Sequence, residues 1–179
     1  MLAYFGATRR SIAFISKATA ENATDRWSEA GRLDPGSFSD FSDTVASVPE
    51  QSSAGVITKL SGKSVAETVD RLRQVIEDRG FTVFRVIDHS GTAERVGVQM
   101  PDSKLVMFGK PTVGATVMVA APLAGLDLPL KVLVWEAGNG AVSVSYNSPA
   151  FLTERYHIEG ALRAPFDAVE SIVDAVLGP

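Results

Sequence analysis

The strongest constraint on the fold is a stretch in the second half of the chain, KVLVWEAGNGAVSVSY (residues 131–146). Its two ends, residues 131–136 and 141–146, are rich in valine with one Trp or Tyr, and this composition favours strands. The intervening GNG favours a tight turn, because Asn-Gly tolerates the positive φ angles that a twisted hairpin requires. The stretch therefore predicts two antiparallel strands joined by a hairpin.

Both faces of the first of these strands are apolar. Val132 and Val134 point to one side, and Leu133 and Trp135 point to the other. The segment LVMF (residues 105–108) repeats this pattern, although a sheet with helices on one side normally alternates apolar and polar residues. Large exposed apolar patches are uncommon on monomers. We therefore expect the second face to be covered by the protein's own helices or loops, by a second copy in a homodimer, or by an apolar ligand.

The remaining segments predict further strands and several helices. Ser64-Val65-Ala66-Glu67 is a capping box, and the apolar spacing after it indicates a helix that ends at Gly80. In the strand predicted for residues 81–87, strict alternation places Phe84 and Val86 on one face. The other predicted elements are strands in residues 55–62 and 104–108, a short helical turn in 92–96, and helices in 112–121, 148–156 and from Pro165 onward. Hairpin-linked strands with helices on one side give an α+β fold, an antiparallel sheet with helices packed on one face.

The chain divides into three segments by composition. Residues 1–33 predict a helical extension, with an amphipathic helix over residues 8–30. Residues 34–54 are serine-rich and acidic, as is typical of a disordered linker. Residues 55–179 predict the single α+β domain.

Composition narrows the classes of partner. The formal net charge is −4, with 17 basic and 21 acidic residues, and no basic patch for nucleic acid is visible. No apolar run approaches the ~20 residues of a membrane-spanning helix. Cysteine is absent, which fits a reducing compartment. The sequence therefore predicts a cytoplasmic protein that binds neither nucleic acid nor membrane.

Three ordered motifs resemble a known family. VIDHSGTAERVG, KLVMFGKP and GLDLPLKVLVWEAGNGAVSVSYNSPAFLTERY are similar to the bacterial and archaeal family called domain of unknown function 302, over about residues 55–160. The resemblance implies a TATA-binding-protein-like fold, in the order strand, helix, four antiparallel strands and helix, usually paired as homodimers. The family's activity is unsettled.

The family pattern can be placed on individual residues. Asp88 and His89 match its Asp-His pair, and Lys110 stands in FGKP where the family usually has Asn. Further matches are Leu128, Pro129, Trp135, Tyr146, Asn147 and Pro149. A role that requires a side-chain amide at position 110 would therefore not transfer to this chain.

His89 is the leading candidate for chemistry, because an imidazole can act as acid or base near neutral pH. Asp88 or Glu94 could orient it. The alternative is structural, with His89 anchoring the end of its strand through a hydrogen bond to a backbone carbonyl. With two histidines and no cysteine in the chain, neither a metal nor a cofactor is predicted.

The leading functional hypothesis is a homodimeric, non-catalytic module that binds a small, partly apolar metabolite. The candidate ligand-binding residues are His89, Lys110, Tyr146 and Asn147. The second hypothesis is a hydrolase or isomerase with His89 as acid/base. The third is a structural protein-interaction module, with residues 1–33 as its docking helix.

Overall fold

The computed structural model describes residues 53–178. The predicted helical extension and nearly all of the predicted linker lie outside the described residues. Five strands form one antiparallel sheet in the spatial order β1-β5-β4-β3-β2. The strands are β1 (Val56–Ser61), β2 (Thr82–Asp88), β3 (Ser103–Gly109), β4 (Leu130–Glu136) and β5 (Val142–Asn147). The helices are α1 (Val65–Asp78), α2 (His89–Glu94), α3 (Pro111–Ala120), α4 (Pro149–Arg155) and α5 (Ala164–Leu177), with 3₁₀ turns at Pro122–Leu126 and Gly160–Arg163.

Helix α1 begins with the predicted capping box. The Ser64 hydroxyl accepts a hydrogen bond from the Glu67 backbone N–H at 3.3 Å, and the Glu67 carboxylate accepts one from the Ser64 N–H at 3.1 Å. These two bonds satisfy backbone donors that the first helical turn leaves unpaired. Leu72 and Ile76 follow on the apolar side of the helix and are fully buried. The capping box therefore fixes where the helix starts, and the spacing of the apolar residues fixes which side faces the sheet.

The core lies between one face of the sheet and the long helices. In the middle of the sheet, Val106 of β3 pairs with Val132 of β4, which pairs with Tyr146 of β5. Fully buried side chains of α1 and α5 cover this face, and their members are Leu72, Ile76, Phe166, Ile172 and Val173. The predicted fold class, an α+β fold with an antiparallel sheet, is confirmed.

The opposite face of the sheet is also apolar at its centre. One row of paired residues crosses all five strands: Ile87, Leu105, Leu133, Ser145 and Thr58. Unlike the residues of the helix-covered face, these side chains do not belong to the core and stay at least partly exposed. We call this surface the open sheet face. It is the second apolar face that the sequence pattern predicts.

Strand β2 departs from the predicted alternation. Pairing with β3 steps from Val83 opposite Phe108 to Arg85 opposite Met107, which leaves Phe84 as an extra residue. Such a β-bulge shifts the alternation that follows it. Val86, which pairs with Val106, therefore shares the core face with Val83. The prediction that Phe84 and Val86 share a face is wrong for this reason, and Phe84 is 45% exposed.

Candidate functional site

An apolar cavity of about 460 Å³ lies at the end of the sheet where β3 ends and β4 begins. Its walls come from the start of β2, from α3, from the loop before β4 and from the start of α5. The larger apolar side chains in these walls are Phe81, Phe84, Val113, Val117, Met118, Leu128, Pro129, Leu130 and Pro165. Within this lining, Lys110 is the one charged residue. We call this site the Lys110 cavity.

Two glycines shape the cavity in different ways. A Cβ atom at Gly109 would lie 3.3 Å from Cε2 of Phe84, so the bulged Phe84 ring fits closely against the end of β3. A Cβ atom at Gly114, in α3, would meet no other atom within 4 Å. Glycine therefore lets the ring approach on one side and keeps open space on the other.

Lys110 is held in the cavity lining by an aromatic ring. Its ammonium nitrogen lies 4.5 Å from the centroid of the Phe81 ring, within the ~6 Å range of a cation–π interaction. No carboxylate of residues 53–178 forms an ion pair with it. The cavity thus combines apolar walls with one positive charge that lacks a protein counter-ion in the described part of the chain.

His89 lies elsewhere, as the first residue of α2. Its side chain is exposed and forms no hydrogen bond with any described residue, so the predicted anchoring bond to a carbonyl is absent there. The carboxylate of Asp88 does not orient it, because that carboxylate caps α2 by accepting from the Gly91 N–H at 2.8 Å. The cap also explains why the helix begins at His89, three residues before the predicted turn of residues 92–96.

Asp88 and Glu94 line a separate, polar depression of about 340 Å³. Lys104 donates to Asp102 at 2.7 Å and lies 3.5 Å from Asp88. The Gly91 N–H and the Ser90 hydroxyl lower the pKa of Asp88, and the hydrogen bond to Asp102 raises the pKa of Lys104. Asp88 and Lys104 are therefore held in their charged forms, as in a structural ion-pair network. Across residues 53–178 no group of three or more potential metal ligands occurs.

The predicted ligand-binding residues do not converge on one cavity. Asp88 pairs with Lys104 at one end of β2 and β3, whereas Thr82 pairs with Gly109 at the other. At ~3.3 Å per residue, about 20 Å separates the His89 end from the Lys110 end. Of the four predicted residues, Lys110 alone lines the Lys110 cavity.

Tyr146 and Asn147 lie on strand β5, outside the cavity lining. Tyr146 is 3% exposed within the core, and its hydroxyl has no hydrogen-bond partner in the described part of the chain. Burial raises its pKa, and the nearby ammonium of Lys59 offsets part of this effect without hydrogen-bond geometry. Asn147 ends the strand, and Ser148 rather than Asn147 caps α4 by accepting from Phe151 N–H at 3.1 Å.

Sequence reasoning missed the apolar lining of the cavity. A usable signal is the absence of charge over Pro111–Leu126, sixteen residues that include all of α3. A surface helix normally carries a polar face. Yet Val117 is the buried residue of α3, and Val119 is 85% exposed. An uncharged surface helix of this kind indicates an apolar binding region.

Curated relatives match part of the chain. Two proteins named fluoride-specific ion channel FluC 1, from Brucella suis biovar 1 and Brucella abortus biovar 1, are each 37% identical over 105 residues, or 59% of this chain. A protein named FluC 2, from Brucella melitensis biotype 1, matches to the same extent. The chain spans about two fifths of the length of these relatives, 41% in the first and 39% in the others. Among residues 53–178, no helix has the length and apolar character needed to cross a bilayer.

The fold and the family are shown by two further comparisons. The crystal structure of an uncharacterised conserved DUF302 protein from Bacillus stearothermophilus superimposes with a TM-score of 0.59 at 21% identity. The match covers 70% of this chain and 97% of that protein. The sequence model of the domain of unknown function DUF302 matches residues 57–176. The chain therefore belongs to the DUF302 family.

Proposed function

We propose that this DUF302 domain is a cytoplasmic, homodimeric module that binds a small, partly apolar metabolite in the Lys110 cavity. The observation that carries the proposal is the cavity itself, with apolar walls and Lys110 as the one charged residue of its described lining. Its volume of about 460 Å³ lies within the ~300–1,000 Å³ typical of small-molecule sites. Such sites combine apolar walls with a few polar groups that orient the ligand.

Binding without catalysis is favoured over the enzyme hypothesis by the position of His89. A general base must come within about 3 Å of the proton that it removes, or reach it through one water molecule. His89 lies about 20 Å from the Lys110 end of β2 and β3, as judged from ~3.3 Å per paired residue, and it is not part of the cavity lining. Asp88, which could have assisted it, is held by the α2 backbone and by Lys104.

The homodimer is supported by the open sheet face. Leu105 and Leu133 are paired at its centre, and Trp135 lies in the next row, opposite Ser103. On the outer strand β1, Leu60 is 74% exposed. A two-fold dimer would bury this apolar surface against its own copy, as isologous interfaces do. The alternative, a purely structural interaction module, would instead dock through residues 1–33, which lie outside the described residues.

Ligand binding can be tested by filling the cavity. N-phenyl-1-naphthylamine, a neutral apolar fluorescent probe, should bind the wild-type protein with enhanced fluorescence. The variants Gly114→Leu and Ala168→Leu add side chains from opposite walls of the cavity and should weaken probe binding at least tenfold. Ala115→Leu adds the same side chain at an exposed position of α3 outside the lining and should bind like wild type. Equal binding by all four proteins would overturn the proposed site.

The homodimer can be tested by light scattering at micromolar concentration. The wild-type protein should have twice the mass of a single chain, which is 19.0 kDa. Leu133→Glu places a charge at the centre of the open sheet face and should give monomers with an unchanged circular dichroism spectrum. The control variant Val119→Glu places the same charge on the exposed helix α3 and should remain dimeric. A monomeric wild-type protein, or a dimeric Leu133→Glu variant, would contradict this part of the proposal.

A further inference from the structure

We propose that the ligand of the Lys110 cavity is an amphipathic monocarboxylate, with its apolar body between α3 and α5 and its carboxylate at Lys110. This inference rests on the proposed function, because it names the chemical class of ligand for the same site. Three features of the cavity carry it: the sign of its charge, the start of α3 beside that charge, and the number of charges.

The sign of the charge favours an anion. Lys110 lies in the lining without an ion-pair partner among the described residues, and the Phe81 ring holds its ammonium at 4.5 Å. A ligand carboxylate would supply the missing counter-ion in a charge-assisted hydrogen bond, which is stronger than a bond between neutral groups. A cationic ligand would be repelled at the same place.

The start of helix α3 adds to the same preference. Helix α3 begins at Pro111, directly after Lys110, and no side chain caps it. Helix α5 also begins at the cavity, at Ala164, but it continues the 3₁₀ turn of Gly160–Arg163 and carries Asp167 in its first turn, so its start adds no such preference. The N-terminal end of a helix carries partial positive charge and favours anions. The start of α3 therefore acts in the same direction as Lys110, although it would not make a site alone.

The number of charges favours a carboxylate over a phosphate. The described lining contains one cation and no arginine, and FGKP is not a glycine-rich phosphate loop. Phosphate sites usually provide several donors or a planar arginine fork for the additional charge and oxygens. The remaining lining is apolar and matches a hydrocarbon or aromatic body.

Octanoate, 1-octanol and octylammonium share one alkyl chain and differ in charge, so they isolate this preference. Binding can be followed by NMR through the methyl groups of Met118 and Ala168, which line the cavity. Wild type should bind octanoate at least tenfold more tightly than 1-octanol, and octylammonium most weakly. Lys110→Met should remove the preference for octanoate while retaining 1-octanol binding. Lys110→Arg should keep the preference, and Lys63→Met, at an exposed position outside the cavity, should behave as wild type.

The outcomes separate this inference from the proposed function. If 1-octanol binds wild type as tightly as octanoate does, or if Lys110→Met keeps the preference, the carboxylate inference is wrong and the apolar site stands. If none of the three ligands gives saturable shifts and the cavity-filling variants bind the naphthylamine probe like wild type, both proposals fail. A tenfold preference for octanoate over 1-octanol in wild type, lost in Lys110→Met, supports both the proposed function and the carboxylate inference.

Discussion

The ammonium group of Lys110 lies 4.5 Å from the centroid of the Phe81 ring, and both residues line the same apolar cavity. The ring also packs edge-on against Phe108 in the core, with centroids 6.0 Å apart. Phe81 thus connects the position of the cavity's charge to the packing of the sheet. Changes at the cavity are therefore expected to register in the stability of the fold as well as in binding.

The interaction between Lys110 and Phe81 should be measurable by a double-mutant cycle. Lys110→Met, Phe81→Leu and the combined variant should show a coupling of about 0.5–1 kcal/mol in the free energy of unfolding, because a partly exposed cation–π contact contributes about that much. Urea denaturation of the four proteins measures it. Strictly additive effects would show that the ring does not hold the ammonium group.

Tyr146→Phe should leave the protein equally stable or make it more stable by up to about 1 kcal/mol, because the buried hydroxyl has no partner among the described residues. Burial raises the pKa of Tyr146 above its ordinary value of 10.0. The contribution of the neutral Tyr146 phenol to the free energy of unfolding is therefore fully present below pH 10 and is lost as pH rises toward the folded-state pKa. The variant should lose less stability than wild type in alkaline urea titrations, and its probe binding at neutral pH should be unchanged. Weakened binding would instead place the phenol in the site.

Asp88→Asn should destabilise the protein at neutral pH, because it removes the charged carboxylate that accepts from the Gly91 N–H and the Ser90 hydroxyl and that faces Lys104, while keeping a residue able to cap α2. The folded-state pKa of Asp88 is lowered, so its contribution is present above the ordinary value of 3.8 and is lost as pH falls below it. The difference between wild type and variant in urea denaturation should therefore shrink as pH is lowered from 5 to 3, in the manner of carboxylate linkage. A difference that stays constant with pH would show that the charge of Asp88 does not contribute to stability.

Gly55→Ala should destabilise the fold by more than ~1 kcal/mol. Gly55 has a φ of +80°, and a Cβ atom there would lie 2.2 Å from Cγ of Phe151. Gly62→Ala is the matched control, since a Cβ atom there would meet nothing within 4 Å and Gly62 does not have a positive φ. Thermal denaturation of both variants should show a large loss for the first and a change within ~0.5 kcal/mol for the second. Similar losses in both would indicate that the contact with Phe151 relaxes easily.

His89→Ala should change stability by no more than ~0.5 kcal/mol, because the side chain is exposed and has no described partner. Binding of the naphthylamine probe should also be unchanged, since His89 lies outside the cavity lining. A loss above 1 kcal/mol in urea denaturation would support the structural role considered for His89. Loss of a measurable activity with the fold intact would support the enzyme hypothesis instead.

Local signals in the sequence predicted most of the elements. The capping box at Ser64 and Glu67 placed the start of α1, and the GNG turn placed the hairpin of β4 and β5. These signals act between neighbours in sequence, and they therefore do not depend on the rest of the fold. Asp88 carries a similar signal, because aspartate is a common N-cap residue whose carboxylate accepts from the N–H three residues later, here that of Gly91. The same residue also suggests a partner for His89, and the sequence alone does not distinguish the two roles.

The bulge and the cavity could not be predicted in the same way. Phe84 leaves the regular pairing because of how β2 fits against β3, and a hydrophobic pattern does not report that fit. The cavity lining comes from segments as distant in sequence as Phe81 and Ala168, which only the packed fold brings together. The motif FGKP indicates Lys110 as a candidate. Its distance from His89, however, depends on which ends of β2 and β3 the two residues occupy, and the motif does not report this.

The pairing of the outer strand β1 with β5 has a consequence for synthesis on the ribosome. Thr58 and Ser145, whose side chains share a hydrogen bond across these strands, are 87 residues apart in the chain. At ~5–20 residues per second, about 4–17 seconds pass between the translation of the two. During that interval the nascent β1, with Val56 and Leu60 on its outward side, lacks the neighbour it has in the finished sheet. Among the strands of residues 53–178, β1 therefore has the longest interval between its own translation and that of its partner strand.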